Sequence, residues 1–270
     1  MKEGRVVAFS ASSPGKELDI KKSAEKIATA LLEAGTNARI DLTLNKILPA
    51  VSLESINDLG IKDLLGRGET DFAGSAYSRA HNIAVGASKF QGALIAPGEE
   101  FSFNKLLGNT TEKEGYLPAF VIKDQKTTPE YGGGLCQVST TLFRAAVYAG
   151  LDITKRYNHS YPVSYYGTPG FDATIYPPSP DFRFKNNTPS HILLQHKITG
   201  TKLAWEIYGT DDQREVVVDG PYVYDKKGDG SMKARLTQKV YKDGEIFQEK
   251  TFYSNYKSPA LYPIERNPLE

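Results

Sequence analysis

Residues 130–149 read EYGGGLCQVSTTLFRAAVYA, and the rest of the chain is organised around this stretch. It contains the only cysteine, Cys136, directly after the run of glycines from Gly132 to Gly134. Apolar residues then recur at the spacing of one helix face, which predicts an α-helix. Glycine reaches positive φ without steric cost, so the glycine run suits a tight turn. The pattern therefore predicts Cys136 at or near a helix N-terminus.

A helix N-terminus favours an anion, because its first N–H groups and the helix dipole carry partial positive charge. A cysteine at that position ionises easily, and the thiolate is the nucleophilic form of the residue. The same arrangement also packs a small residue under a tight turn. Both a reactive Cys136 and a packed Cys136 agree with this stretch alone.

The composition is that of a globular protein and excludes several classes of function. With 270 residues, the chain is long enough for about two domains. Its net charge of +1 gives no general attraction to nucleic acid or to an anionic membrane. A single cysteine excludes an internal disulfide and a zinc site built from several thiolates. We expect no metal and no cofactor.

The first residues give no direct evidence of export. No apolar run reaches the ~18 residues of a transmembrane helix. The stretch Met1 to Asp19 also lacks an apolar segment of signal-peptide length. We expect the sequence to be part of a longer, exported or anchored protein, with any membrane anchor in residues absent from this chain.

Hydrophobic periodicity divides the chain into three parts, and the predicted fold class is α+β. Residues 1–62 predict a small α/β domain, with Asp19 as the cap of its helix. Residues 63–212 predict a mixed domain in which the Cys-led helix packs on antiparallel strands. Residues 213–270 predict a β-rich module with a hairpin turn at Asp243 and Gly244.

Three residues of the middle part form a candidate catalytic constellation: Cys136, His159 and Asp172. A thiol nucleophile needs a base that takes its proton, and the base needs an acceptor that fixes its tautomer. This order, on a helix and then two strands, is that of a papain- or transglutaminase-type core. We predict that His159 and Asp172 lie on adjacent strands joined by a turn at residues 167–170. Their alternative roles are a histidine bonded to backbone and a carboxylate that caps a turn.

Several other side chains are candidate substrate contacts. Amide and hydroxyl groups on the first helical turn either donate to an oxyanion or cap the helix, although the backbone N–H groups of Cys136 and Gln137 are the more general donors. The planar fork of an arginine suits a carboxylate. The predicted substrate-binding residues are Arg79, Gln137, Ser139, Thr140, Arg156 and Tyr161.

Several separate motifs, in order along the chain, resemble the VanW family. They are R-x-x-N-I (79–83), PGEEFSFN (97–104), GGGLCQVSTTLF (132–143), KRYNHS (155–160), DATI (172–175) and FRFKNNT (182–188). The first 60 residues resemble the peptidoglycan-binding domain often placed ahead of VanW. Residues from about 215 to 267 resemble the five-glycine module of cell-wall proteins, with fewer glycines.

The VanW resemblance implies a Gram-positive, extracytoplasmic protein of the cell envelope, in a family named after an accessory gene of vancomycin-resistance clusters. One hypothesis is a Cys-His-Asp amidase, peptidase or transpeptidase that acts on peptidoglycan stem peptides. Another is a module that binds cell-wall peptide or glycan while Cys136 is merely packed. The tyrosines predicted to make those contacts are Tyr131, Tyr157, Tyr161 and Tyr165. A scaffold that links envelope partners is not separable from these two by sequence.

Overall fold

The computed structural model describes residues 15–33, 39–47, 59–123 and 126–262. These residues fall into two compact units, one within residues 7–59 and the other from residue 60 onward. None of the described helices is long and apolar enough to span a bilayer. The predicted boundaries at 62/63 and 212/213 stay predictions.

The first unit combines one helix with a pair of short strands. Strand β1 (Gly15–Leu18) pairs antiparallel with β2 (Leu44–Ile47), and helix α1 (Ile20–Glu33) lies between them in the chain. The carboxylate of Asp19 accepts the N–H of Lys22 at 3.0 Å, which confirms Asp19 as the helix cap.

The second unit contains antiparallel sheets. A four-stranded sheet has the order β3 (Asp63–Asp71), β11 (Lys202–Gly209), β10 (Ile192–Thr199) and β4 (Leu94–Ile95). A three-stranded sheet has the order β5 (Glu100–Ser102), β9 (Arg183–Lys185) and β8 (Asp152–Lys155). The C-terminal sheet has the order β12 (Glu215–Tyr224), β13 (Met232–Lys242) and β14 (Glu245–Tyr256). A separate hairpin joins β6 (Pro118–Lys123) to β7 (Lys126–Tyr131).

Three α-helices complete this unit in the described residues: α2 (Tyr77–Ser88), α3 (Phe103–Leu107) and α4 (Leu135–Tyr148). The predicted Cys-led helix is confirmed, because α4 starts directly after the glycine run and Cys136 is its second residue. With its helices and antiparallel sheets, the protein has the predicted α+β class. The narrower prediction of a papain- or transglutaminase-type core stays a prediction.

Helix α4 lies unusually close to strand β3 because β3 has glycines where it faces the helix. A Cβ atom on Gly68 would lie 2.4 Å from the carbonyl oxygen of Thr141, and one on Gly66 would lie 2.4 Å from the amide of Ala149. Both obstacles are backbone atoms, one in the middle of the helix and one in the residue after its end, which no rotamer change can move. The glycines therefore fix the depth at which α4, and Cys136 with it, sits on the sheet.

The core around α4 also includes the C-terminal sheet. Phe143 of α4 packs edge-on against Phe182 and Phe252, with ring centroids 5.6 and 5.4 Å away. Phe252 belongs to β14, and Gln238 of β13 donates to the carbonyl of Val147 at 2.8 Å. The residues predicted as a β-rich module thus share a hydrophobic core with the Cys-led helix.

The segments that carry His159 and Asp172 are not strands, so our prediction of adjacent strands is wrong. Both residues lie in irregular segments, which are joined by the backbone hydrogen bond from Thr174 to Tyr157 at 2.8 Å. Side chains replace the usual ladder: Arg156 donates to the carbonyl of Asp172 at 2.6 Å, and the Asp172 carboxylate accepts the N–H of His159 at 2.8 Å. The two segments are therefore neighbours without regular strand geometry.

Replacement of Gly68 by alanine should destabilise the protein by about 1–3 kcal/mol, because the new methyl group forces α4 away from β3. Chemical denaturation measures the change. Gly228→Ala is the matched control, since a Cβ atom there meets nothing within 4 Å. Equal unfolding free energies for the two variants would contradict the close packing of α4 on β3.

Candidate active site

The carboxylate of Asp172 accepts four hydrogen bonds from three residues. Its Oδ2 atom lies 2.8 Å from the amide nitrogen of His159 and 2.5 Å from Nδ1 of the same residue. Its Oδ1 atom accepts from Arg156 Nη2 at 3.0 Å and from the Tyr256 hydroxyl at 2.5 Å. Asp172 therefore holds the imidazole in one orientation, with a proton on Nδ1.

These contacts keep Asp172 ionised despite its burial. Only 6% of its side chain is exposed, and burial alone would raise the pKa of the carboxyl group. The hydrogen bonds and charge of His159, together with the charge of Arg156, instead lower the pKa of Asp172 well below its usual range. Asp172 is thus a fixed negative charge behind the imidazole.

The imidazole of His159 interacts in turn with the thiol of Cys136. Because Asp172 occupies Nδ1, the nitrogen free to face the sulfur is Nε2. Burial favours the neutral form of both groups, but the hydrogen bonds and charges that surround them together outweigh it. His159 lowers the pKa of Cys136, and the pKa of His159 is raised to about 9, first by its hydrogen bond to Asp172 and then by its hydrogen bond to Cys136. Both shifts favour a thiolate–imidazolium pair, which is the ionisation state of an activated cysteine.

The remaining surroundings of the sulfur are compatible with a nucleophile. Cys136 is partly exposed, and its Sγ atom lies 3.4 Å from the hydroxyl of Thr174 and 3.5 Å from the carbonyl oxygen of Ile175. These two polar contacts hold the sulfur in position without enclosing it.

The start of α4 leaves one of the two predicted oxyanion donors available. Gly134 precedes the helix with φ of 107°, a conformation that favours glycine. The N–H of Gln137 donates to the carbonyl of Gly134 at 2.9 Å and is therefore occupied. In the described part of the chain, no acceptor takes the N–H of Cys136. This amide, beside the sulfur, is the remaining backbone donor for an oxyanion.

Three predicted substrate contacts, Gln137, Ser139 and Thr140, are fully buried and support the site from inside the protein. The Gln137 amide donates to Thr70 Oγ1 at 3.1 Å and to the carbonyl of Asp71 at 2.9 Å. The hydroxyls of Ser139 and Thr140 donate to the carbonyl of Ala173 at 2.6 and 3.2 Å. With their polar groups bound inside the protein, these side chains have no surface for a substrate. Ser139 and Thr140 attach the segment around Asp172 to α4, and Gln137 attaches α4 to β3.

Arg156 is likewise a supporting residue and not a free carboxylate receptor. Its guanidinium, only 3% exposed, binds the carboxylate of Asp172 and donates to Ser254 Oγ at 2.8 Å. Arg79 and Tyr161 are the other two predicted contacts, and both stay partly exposed. Arg79 lies over the ring of Tyr165, and the ring of Tyr161 packs against that of Tyr262.

Two tyrosines that complete the site were not among the residues predicted from the sequence. Tyr256 binds Asp172 from the C-terminal sheet, 84 positions further along the chain. The buried ring of Tyr166 packs against His159, with centroids 5.3 Å apart, and no described residue is a hydrogen-bond partner for its hydroxyl. Among 16 tyrosines, neither residue had a distinguishing pattern. Thr174, by contrast, lies in the DATI motif that was already singled out.

Fold and site together define an α+β protein with a hydrogen-bonded Cys-His-Asp series beside a helix N-terminus. Residues 78–208 match the family model described as VanW like protein. This match and two relatives show that the chain is similar to the VanW family over part of its length, as the sequence motifs predicted. The peptidoglycan-binding domain predicted at the N-terminus and the five-glycine module stay predictions.

The relatives come from two bacteria. The chain is 37% identical over 174 residues to the uncharacterized protein YoaR of Bacillus subtilis (strain 168), which covers 64% of this chain and 57% of that protein. It is 26% identical over 198 residues to the Vancomycin B-type resistance protein VanW of Enterococcus faecalis (strain ATCC 700802 / V583), which covers 69% and 71%. The match therefore spans less than two thirds of the Bacillus protein. No solved structure matches the chain significantly.

The rate of Cys136 alkylation by iodoacetamide should rise with pH through a midpoint well below the free-thiol value of ~8.5, because the imidazolium stabilises the thiolate. In His159→Ala the midpoint should move up, since burial remains and the opposing charge is lost. His191→Ala, in a histidine preceding β10, is the control and should match the parent. Slow alkylation at every pH, unaffected by His159→Ala, would mean that Cys136 is a packed structural residue.

Tyr256→Phe should lower the free energy of unfolding by about 1–3 kcal/mol, because it removes a donor from a buried carboxylate. The ring remains, so the packing of β14 is retained. Tyr253→Phe is the control on the same strand, where the side chain is 68% exposed and does not face Asp172. Chemical denaturation compares the two variants, and an unchanged stability of Tyr256→Phe would contradict the hydrogen bond to Asp172.

Proposed function

We propose that the protein is an extracytoplasmic, cell-envelope protein that performs cysteine-dependent amide chemistry on peptidoglycan stem peptides, as an amidase, peptidase or transpeptidase. One observation carries this proposal: the thiol of a partly exposed cysteine interacts with an imidazole that is itself fixed by an ionised, buried carboxylate. A cysteine that serves only packing has no need of this series.

In the proposed reaction, the thiolate of Cys136 attacks the carbonyl carbon of an amide, and a carbon–sulfur bond forms. The negative charge moves to the carbonyl oxygen, where the N–H of Cys136 is available as a donor. His159 gives its proton to the leaving amine as the carbon–nitrogen bond breaks, which leaves a thioester on Cys136. Asp172 remains ionised throughout and keeps the imidazole oriented.

The thioester has two possible fates, which separate the proposed reaction types. When water attacks the thioester carbonyl, His159 accepts a proton from the water, the carbon–sulfur bond breaks to release the Cys136 thiolate, and the reaction is hydrolysis. When an amine attacks, the same steps form a new amide bond and the reaction is transpeptidation. The order Cys, His, Asp is shared with papain- and transglutaminase-type enzymes, which supports this chemistry by analogy only.

The cell-envelope part of the proposal draws on the family. The Enterococcus relative is named as a vancomycin resistance protein, and we extend a role associated with vancomycin resistance to this chain. Peptidoglycan is then the expected partner, and nucleic acid is not expected.

A non-catalytic binding module is the second candidate, favoured by exposed tyrosines. Tyr131, Tyr157 and Tyr165 are 40%, 44% and 51% exposed, which leaves much of each ring available for a peptide or glycan. In this reading the thiolate–imidazolium pair has no chemical role. A scaffold that links envelope partners is a further form of the same alternative.

Incubation of the full chain with soluble stem peptides, followed by mass spectrometry, tests the proposal. We expect cleaved or exchanged peptides and a thioester adduct on Cys136. Cys136→Ala should abolish turnover, and Asp172→Asn should reduce it by about 10⁴-fold, as the wrong imidazole tautomer does in a serine triad. Activity should fall above about pH 9, where His159 loses the proton that the leaving amine needs.

Tyr157→Ala should leave the adduct on Cys136 unchanged if the protein is an enzyme, which makes it the matched control. The absence of any adduct, together with binding of intact peptidoglycan that survives Cys136→Ala but not Tyr157→Ala, would favour the binding module instead.

A further inference from the structure

Arg79 is held in place by neutral partners. Its Nη1 donates to the hydroxyl of Ser75 at 2.7 Å, and its Nη2 donates to Oε1 of Gln137 at 2.8 Å. The guanidinium carbon lies 4.8 Å from the ring centroid of Tyr165. A serine, an amide and an aromatic ring orient the group but do not neutralise its charge.

Within the described residues, no carboxylate lies at ion-pair distance from Arg79. Other arginines of the same unit do have such partners, as Arg156 has in Asp172 at 3.0 Å and Arg214 has in Asp212 at 2.6 Å. Arg79 is partly exposed, and a guanidinium carries five N–H donors, of which two are engaged by Ser75 and Gln137. Arg79 therefore has a fixed positive charge and N–H donors that are not engaged by Ser75 or Gln137.

The guanidinium belongs to the same site as the thiol. Gln137, which binds it, directly follows Cys136 in the chain. On the other side of the cysteine, a Cβ atom on Gly134 would lie 3.3 Å from Arg79 Cγ, so the arginine side chain passes directly beside the helix start. Tyr165, beneath the guanidinium, precedes the Tyr166 ring that packs on His159.

We propose that Arg79 binds a carboxylate of the substrate, so that the substrate class is a peptide with a free carboxylate close to the amide bond that reacts. This inference rests on the function proposed above. An arginine fork binds a carboxylate with two parallel hydrogen bonds, which fixes position as well as charge. A guanidinium already oriented before binding loses little freedom when the carboxylate arrives.

Arg79 also links α2 to α4 through Gln137, and that structural role alone would not require a carboxylate. The two roles differ in one measurable property. A purely structural arginine affects all reagents at Cys136 equally, whereas a carboxylate-binding arginine favours those reagents that carry a carboxylate.

Iodoacetate and iodoacetamide provide the test, because they deliver nearly the same group to a thiolate and differ in the carboxylate. The measured quantity is the rate constant of iodoacetate at Cys136 divided by that of iodoacetamide. At one pH near neutrality this ratio does not depend on the thiolate content of the variant. We expect the parent ratio to exceed that of free cysteine and to fall roughly three- to tenfold in Arg79→Gln. Arg79→Lys keeps the charge without the fork and should retain part of the preference.

Arg235→Gln is the matched control, because Arg235 is also exposed and stacked on a tyrosine, Tyr222, but lies on the C-terminal sheet. Its ratio should equal that of the parent. A parent ratio no higher than that of free cysteine, or a ratio that survives in Arg79→Gln, would overturn the inference. If Arg79→Gln does not fold, Arg79→Lys provides the test. A ratio below that of the parent supports the inference, and a ratio equal to that of the parent overturns it.

The test separates the failure of this inference from that of the proposed function. If iodoacetamide reacts quickly and depends on His159 while iodoacetate has no advantage, Cys136 is activated and Arg79 does not bind a carboxylate. If both reagents are slow and unaffected by His159→Ala, the enzyme proposal fails as well.

Discussion

The structure of the site depends on the burial of one charge, the carboxylate of Asp172. A buried carboxylate is costly unless each lone pair has a donor, and here the donors come from His159, Arg156 and Tyr256. Because the segment that carries Arg156 and His159, the segment of Asp172 and strand β14 are separate in the chain, satisfying one carboxylate brings a loop, a second loop and the edge of a sheet to a common point. The ionisation of the imidazole and then of the thiol follows from that fixed charge.

Local sequence patterns were sufficient for the helix and for the order of the triad. The glycine run and the apolar repeat after it specify where α4 starts, because both act over a few neighbouring residues. The pairing of His159 with Asp172 followed from chemical need and proximity in sequence. The hairpin turn at Asp243 and Gly244 was also predictable from local sequence. Both residues adopt positive φ between β13 and β14.

The roles of other site residues could not be predicted from the sequence, because they depend on contacts between residues that are distant in the chain. Gln137, Ser139 and Thr140 have polar side chains suited to a surface site, but α4 is packed on several sides and turns them inward. Arg156 was predicted to bind a substrate carboxylate, but in the structure its carboxylate partner is Asp172. In the same way, two arginines that look alike in sequence separate into one that is neutralised and one, Arg79, that is not. Only tertiary structure distinguishes them.

The reach of the C-terminal sheet has a consequence for the order in which the protein matures. During synthesis Cys136 and His159 are made long before Tyr256 and Ser254, which complete the surroundings of Asp172 and Arg156. A nascent chain that lacks β14 leaves the carboxylate without the Tyr256 hydroxyl and the Arg156 guanidinium without its Ser254 partner. The hydrogen bonds that hold Asp172 and Arg156 behind the imidazole are thus complete only when the last strand has docked.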